Sequence, residues 1–143
     1  MTEQVLVVVD GHEQAHQAIP PLRRISAGGR RCTVEVLYVL DGCRAIEADP
    51  ARLGQELESA WGYVRRQARK LRLPGVEPKA TLVLGSVERT LAGRLEHGGF
   101  RQVVVAARPG SPERTAMRRL LAHQAAAHAR RPRVFDALPV RAA

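Results

Sequence analysis

The residues best placed to do chemistry lie between positions 102 and 124, where an apolar run ends at Arg108-Pro109-Gly110 and a helical pattern follows. Ser111 has the side chain of a helix N-cap, and Pro112 suits the first helical position because its missing N–H would be unpaired there. A helix start beside the carboxyl end of a strand presents free N–H groups. In open α/β sheets, phosphates and nucleotides bind at such places. This stretch is therefore the first candidate for a ligand site.

The elements that must position these residues alternate along the chain. Apolar, β-branched runs predict strands at 4–10, 32–40, 79–84, 102–106 and 133–138. Apolar residues at three- and four-residue steps predict helices at 12–25, 50–71, 87–97 and 112–129. The connections are long enough for right-handed crossovers. The sequence therefore predicts one Rossmann-like α/β domain over residues 1–143, a parallel five-stranded sheet with helices on both faces, ending in a mobile tail at 139–143.

Two of the predicted helices carry further expectations. Pro20-Pro21 interrupts the first helix, which is expected to be kinked or split there, since each proline removes a hydrogen bond and clashes with the preceding turn. The long helix is expected to bury one stripe of side chains. Its members are Leu53, Leu57, Trp61, Val64, Ala68 and Leu71.

Composition narrows the class of protein and of partner. The net charge is +9, and 21 of the 23 basic residues are arginine, scattered in short groups along the chain. We interpret them as solvated helix faces, so nucleic acid is not expected as a partner. No apolar stretch is long enough for a signal or a membrane span. Cys32 and Cys43 lack CxxC spacing and are expected to be reduced thiols, which favours a cytoplasmic protein without a membrane partner.

The remaining reactive side chains form no recognisable catalytic or metal-binding motif. His12 and His16 are one helical turn apart, but no third ligand is evident beyond Asp10 and Glu13. Gly85-Ser86-Val87 lacks the second glycine of a nucleophile elbow. No catalytic residue, metal ligand or enzymatic activity is therefore predicted.

The chain resembles the universal stress protein family over essentially its whole length. Three stretches carry the likeness: V-L-V-V-V-D-G at 5–11, V-E-V-L-Y-V-L-D at 34–41, and Q-V-V-V-A-A-R-P-G at 102–110. The resemblance implies the adenine nucleotide alpha hydrolase-like form of the Rossmann-like fold. It also implies a role in the stress response.

Nucleotide-binding members of that family carry G-x-x-G, nine residues, then G-[S/T], and this chain departs from the pattern. Aligning the strands puts Ala107 at the first glycine and Gly110 at the second, with Leu120-Leu121 in place of Gly-Ser. Starting the motif at Gly110 puts Glu113 at the second glycine. A carboxylate there repels phosphates, and leucines prevent close backbone approach. The chain therefore resembles the non-ATP-binding branch, with a degenerate motif.

The resemblance leaves part of a nucleotide site and implies a dimer. Asp10 matches the adenosine-contacting Asp, although it also suits a turn or cap, and Val39 matches a valine of the adenine pocket. An anion at the helix start, with Arg108 as counter-charge, is the alternative to a plain turn and cap. The expected cofactor is none, with ATP or AMP as the alternative. The vestigial nucleotide or anion site is expected to consist of Asp10, Val39, Ala107, Arg108, Gly110 and Ser111. The homodimer is expected to form through the C-terminal strand, with Arg133, Val134 and Phe135.

Three functions follow from these expectations and remain open at this point. The first is a non-enzymatic stress-response or regulatory domain that acts as a homodimer. The second is a module that binds a nucleotide or another small anion. The third is a basic protein associated with nucleic acid, for which the charge of +9 is the only support.

Overall fold

A computed structural model describes residues 2–41, 49–126 and 133–136. Strands and helices alternate along the chain, with one short 3-10 turn, Ala15–Ala18, before the first helix. The strands are β1 (Thr2–Val9), β2 (Arg31–Leu40), β3 (Val76–Leu84), β4 (Gln102–Ala106) and β5 (Arg133–Asp136). The helices are α1 (Ile19–Ser26), α2 (Pro50–Lys70), α3 (Val87–His97) and α4 (Pro112–Ala126).

The five strands form one parallel sheet in the order β3-β2-β1-β4-β5. All the carboxyl ends therefore lie along one edge, the carboxyl edge, and all the amino ends along the opposite edge, the amino edge. The chain passes from β3 across to the far side of β1 to form β4. The crevice between β1 and β4 at the carboxyl edge is consequently the topological switch point of the sheet. The predicted fold class is confirmed.

The sheet is covered on both faces, and alternate residues of each strand serve the two layers. Val5, Val7 and Val9 face α1, α2 and the 3-10 turn, whereas Leu6 and Val8 face α3 and α4. All five side chains are fully buried. Burial on both faces explains why β1 has an unbroken apolar run rather than an alternating pattern.

The first helical stretch is split, as predicted, but the prolines do not break it. The 3-10 turn ends at Ala18, and α1 begins immediately afterwards at Ile19. Pro20 and Pro21 occupy the first turn of α1, where a backbone N–H has no intrahelical acceptor to lose. The prolines therefore start the α-helix instead of kinking it.

The expected apolar stripe on α2 is wrong at Trp61. The buried residues of this helix are Ala60, Tyr63, Val64, Gln67 and Ala68. Trp61 is 39% exposed, and the Arg65 guanidinium lies 5.2 Å from its ring centroid. Tyr63 already reaches the residues that follow β1, so the turns before it extend past the carboxyl edge and have little to pack against.

The third strand begins earlier than the sequence indicated, at Val76 rather than 79. This earlier start includes Pro78, which fits because β3 is an edge strand of the described sheet. Gly75 accepts a hydrogen bond from Cys32, and Gly85 donates one to Leu40, so the odd-numbered residues of β3 bond β2. The missing N–H of Pro78 therefore faces the open edge, where no strand needs it.

Other expectations lie partly outside the described residues. Cys32 is buried with a free thiol, and burial together with the nearby Glu3 carboxylate raises its pKa. Cys43, the ends predicted for the last helix and strand, and the tail at 139–143 lie outside the described ranges. None of the helices in the described part of the chain is long and apolar enough to cross a membrane.

Candidate functional site

The site begins with the loop that joins β4 to α4 at the carboxyl edge. The Ser111 hydroxyl oxygen accepts a hydrogen bond from the Arg114 N–H at 3.3 Å, which confirms Ser111 as the helix cap. The Ser111 N–H in turn donates to the Arg108 carbonyl at 3.1 Å. Gly110 supplies the turn with a φ of +75°, which side chains with a Cβ rarely adopt. Ser111 is 4% exposed, so its hydroxyl acts within the turn.

Asp10, directly after β1, has a carboxylate that is fully engaged by the protein. One oxygen accepts hydrogen bonds from the Arg108 N–H at 2.9 Å and from the Arg108 Nε at 3.1 Å. The other accepts from the His12 N–H at 3.1 Å, which closes a turn. The Asp10 side chain is 1% exposed and that of Arg108 is 51% exposed.

This ion pair spans the topological switch point, because Asp10 follows β1 and Arg108 follows β4. Burial alone would raise the pKa of Asp10. The hydrogen bonds from Arg108 and His12 outweigh it and hold the pKa below its ordinary value. Asp10 is therefore ionised at neutral pH, and the crevice where this fold usually takes a ligand is bridged by a charge pair.

Glu113 lies in the first turn of α4 and is 5% exposed. Among the described residues, its Oε2 has no hydrogen-bond partner. Burial and the nearby Asp10 charge raise the pKa of Glu113, while its own backbone N–H and the Arg108 charge oppose the shift. A second acidic group thus adjoins the Asp10–Arg108 pair, at a helix start that would otherwise favour anions.

The two remaining predicted site residues, Val39 and Ala107, lie beneath the loop that joins β4 to α4. Val39 and Ala107 are buried in the layer between the sheet and α3 and α4. The Ala107 carbonyl accepts a hydrogen bond from the Arg114 Nε at 2.6 Å, which ties the end of β4 to the first turn of α4. The structure thus brings Asp10, Ala107, Arg108, Gly110 and Ser111 to one edge, with Val39 beneath them.

A cavity of about 530 Å³ opens on the other face of the sheet, between the ends of β1 and β2 and the amino-terminal half of α2. Its floor contains Tyr38 and Tyr63, whose rings meet edge to face at 5.0 Å. The Tyr63 hydroxyl donates to the His12 carbonyl at 2.6 Å and accepts from the Gly11 N–H at 3.0 Å. The cavity is lined by Gly11, Glu13, Tyr38, Leu40, Arg52, Gln55, Glu56, Ser59, Ala60, Tyr63 and Arg66.

Sequence reasoning missed this cavity. The signal that could have found it is the placement of Tyr63 and Gln67 one turn apart on the buried face of α2. Gln67 accepts from the Ala15 N–H and donates to Glu13, so both polar side chains hold the loop that follows β1. In the described part of the chain, no group of three His, Cys, Asp or Glu side chains could hold a metal ion.

Comparison with known proteins gives this geometry a family. Residues 1–133 match the model of the universal stress protein family. The fold is similar to the crystal structure of the hypothetical protein PH0823, at 15% identity and a TM-score of 0.65, covering 94% of this chain and 95% of that one. A search of curated protein sequences found no significant relative.

Two further structures share the fold at similarly low identity. The universal stress protein from Archaeoglobus fulgidus in complex with dAMP is 15% identical, with a TM-score of 0.62 and coverage of 95% and 97%. The hypothetical protein MJ0577 is 14% identical, with a TM-score of 0.62 and coverage of 94% and 95%. These likenesses support the fold, and the family match covers most of the sequence. The chain belongs to the universal stress protein family.

Proposed function

We propose that this chain is a non-enzymatic, cytoplasmic regulatory domain whose loop at 107–111 no longer holds a nucleoside triphosphate. The observation that carries the proposal is the engagement of the buried Asp10 carboxylate by Arg108 across the switch point. A ligand that used Asp10 would have to displace two hydrogen bonds, one of them from the backbone. The loop would then have to accept phosphate beside the buried Glu113 carboxyl, whose Oε2 has no hydrogen-bond partner among the described residues.

Charge strengthens this argument. A nucleoside triphosphate brings several negative charges to a helix start that has Asp10 and Glu113 within its field. Arg108 is the counter-charge that the sequence offered for an anion in this loop, and its guanidinium is already paired with Asp10. Binding would therefore require both the loss of that pair and the approach of like charges.

Isothermal titration calorimetry with ATP and magnesium tests the proposal directly. We expect no saturable heat at millimolar ATP for the wild type, and no phosphate release above the blank in a hydrolysis assay. Glu113→Gly restores a glycine and removes the repelling carboxyl. A wild-type protein that binds ATP with micromolar affinity, unchanged by Glu113→Gly, would overturn the proposal.

A second function, binding of a smaller ligand such as AMP, is favoured by the cavity over the two tyrosines. Its volume of about 530 Å³ falls within the range of small-molecule sites. A relative of the same fold is described in complex with dAMP. A thermal-shift titration with AMP would support this function if the melting temperature rises and saturates in the wild type but not in Ser59→Trp, which fills the exposed mouth of the cavity.

We also propose that the chain acts as a homodimer through β5, the strand of Arg133, Val134 and Phe135. β5 pairs with β4 on one side and forms an edge of the described sheet on the other. Strand edges offer unpaired N–H and C=O groups to a second copy. In light scattering, we expect a dimer that becomes a monomer in Phe135→Asp.

The outermost strand on the other side of the described sheet, β3, provides a matched control for this dimer. Leu84 at the end of β3 is 43% exposed, so Leu84→Asp adds the same charge to the other outermost strand. We expect this variant to remain a dimer. Dissociation by Leu84→Asp, with Phe135→Asp still dimeric, would move the interface to β3.

A further inference from the structure

The amino edge of the sheet carries a concentration of arginines that is not visible in the sequence. Two lie in the last turn of α1, two at the turn into β2, one after α2 and one before β4. All six are exposed. We call this surface the basic edge, and its members are Arg23, Arg24, Arg30, Arg31, Arg72 and Arg101.

Parallel topology explains why residues so far apart in the sequence meet. The helices α1, α2 and α3 all end near the amino edge, because each leads into a strand that starts there. The turns pack side by side: a Cβ on Gly75 would lie 3.4 Å from the Arg30 carbonyl oxygen. On the next strand pair, the Arg101 N–H donates to the Gln4 carbonyl at 3.2 Å.

The charges on this edge are not neutralised by ion pairs within the described part of the chain. None of the six arginines forms an ion pair with any residue in the described ranges. The nearby acids are Glu3, which is buried, the exposed Glu77, and Glu96, which pairs with His97 at 3.5 Å. At this edge, the described residues therefore provide six guanidinium groups without an ion pair and three carboxyl groups.

Several arginines elsewhere on the molecule form ion pairs with acidic side chains. Arg108 pairs with Asp10, Arg94 with Glu35 at 3.0 Å, and Arg66 with Glu13 at 3.6 Å. Other exposed arginines also lack an ion pair to a described residue, but they are distributed over three helices; examples are Arg65, Arg89 and Arg118. Among the described residues, the basic edge is the place where six such arginines lie together. This placement removes the reason for which nucleic acid was not expected as a partner.

We propose that the basic edge binds the phosphate backbone of a nucleic-acid duplex without reading its sequence. Guanidinium groups match phosphate oxygens in bidentate geometry, and their charge is independent of pH in the physiological range. Among the described residues, the exposed large hydrophobic side chains are Trp61 and Leu84, and neither lies at this edge. Among the described residues, the edge therefore offers no exposed aromatic platform of the kind that binds single strands and no exposed apolar anchor of the kind that enters membranes.

The dimensions of the edge set the expected size of the effect. From the start of β3 to the start of β4 is three strand spacings, or about 14 Å. One strand of a duplex carries a phosphate about every 3.4 Å along the axis, so the edge covers about four phosphates. Four contacts predict that the logarithm of the binding constant falls with the logarithm of salt concentration with a slope of about −3.6.

The test measures fluorescence anisotropy of a labelled 24-base-pair duplex of mixed sequence between 25 and 300 mM NaCl. The edge variant combines Arg30→Ala, Arg31→Ala and Arg101→Ala. A matched control combines Arg65→Ala, Arg89→Ala and Arg118→Ala, three exposed arginines without an ion pair to a described residue. Both variants lose three positive charges.

A third variant guards against an effect of folding. It replaces the same three edge arginines by lysine, which keeps the charge but removes the bidentate geometry. Circular dichroism and thermal melting establish that each variant remains folded.

We expect the edge variant to reduce the salt slope by about three and the affinity at 0.1 M salt more than tenfold. The control variant is expected to change affinity less than threefold, and the lysine variant to retain most of the binding. Equal losses in the edge and control variants would overturn the proposal, as would the absence of wild-type binding at 25 mM NaCl. Stronger edge-dependent binding to vesicles with 30% phosphatidylserine than to the duplex would overturn it in favour of a membrane surface.

Discussion

The ion pair between Asp10 and Arg108 is the contact whose removal tests the site most directly. In Asp10→Asn the side chain keeps its shape, but it loses its charge and exchanges one acceptor oxygen for a donor. A hydrogen bond to a buried charged group contributes about 1.5–3 kcal/mol to folding. The Asp10 side chain is 1% exposed and accepts three such hydrogen bonds, although the half-exposed Arg108 side chain is screened by solvent. We therefore expect Asp10→Asn to lower the free energy of unfolding by about 2 kcal/mol at pH 7.

The expected loss depends on pH in a defined direction. Burial would raise the pKa of Asp10, but the hydrogen bonds from Arg108 lower it below the value of an unfolded aspartate. A carboxyl with a depressed pKa stabilises the fold above the unfolded pKa, and this contribution is lost as the pH falls through the folded pKa. The difference between wild type and Asp10→Asn should therefore be largest at pH 7 and should shrink at pH 3.

Urea unfolding followed by circular dichroism at pH 7 and pH 3 measures both effects. With a slope of about 2 kcal/mol/M, the midpoint at pH 7 should move by about 1 M. Asp49→Asn is the control, because Asp49 caps α2 through the Ala51 N–H at 3.0 Å and asparagine caps about as well. A variant within 0.5 kcal/mol of the wild type at pH 7, or a loss of equal size at pH 3, would refute the assigned role of the pair.

Three further changes test the surroundings of the site. Tyr63→Phe leaves the Gly11 N–H without its acceptor and should cost about 1–3 kcal/mol in urea unfolding; an unchanged midpoint would contradict the contact. Burial raises the pKa of Glu113, so ionisation of this group opposes folding as the pH rises. Between pH 4 and pH 8, the free energy of unfolding of Glu113→Gln should therefore rise by about 1 kcal/mol relative to that of the wild type. A fall relative to the wild type would contradict this role of Glu113. Leu91 is the fully buried residue of α3, and Leu91→Ala should lower the free energy of unfolding by about 3 kcal/mol. The control is Leu84→Ala at an exposed position, which should lower it by less than about 1 kcal/mol. Comparable losses in the two variants would place Leu91 outside the core.

The elements of this fold were predictable where one local signal decided them. Residues 5–9 of β1 and 103–106 of β4 are buried on both faces, so their continuous apolar runs identify them as central strands. The caps of α3 and α4 followed from Ser86 and Ser111, because capping depends on the backbone within three residues. Local chemistry was therefore enough to find these boundaries.

Predictions failed where the answer depends on tertiary position. Trp61 has the right spacing for the core but lies on turns that extend past the sheet. Pro78 is acceptable in β3 only because that strand is at an edge. The Asp10–Arg108 pair joins residues 98 positions apart, and only the strand order that places β1 beside β4 brings them together. Sequence spacing has no information on such a contact.

The same topology explains the distribution of charge between the two edges of the sheet. In a parallel sheet with helical crossovers, helices begin at the carboxyl edge and end at the amino edge, so their dipoles favour acids at the first and bases at the second. Glu88 and Glu113 lie in first turns, whereas Arg23 and Arg24 lie in a last turn. Helix stabilisation accounts for the sign of the charges, but not for arginines outside helices, such as Arg30, Arg31 and Arg101.

Replacing the arginines outside helices distinguishes a structural from a functional role of the basic edge. A charge that only complements a helix dipole acts within the last turn, so replacing it should lower stability. Arg31 and Arg101 lie at strand starts, where no helix ends on them, and replacing them should leave stability within about 0.5 kcal/mol. If their replacement nevertheless abolishes duplex binding, the charge at this edge serves a partner. The family fold would then hold its pocket at one edge of the sheet and a polyanion surface at the other.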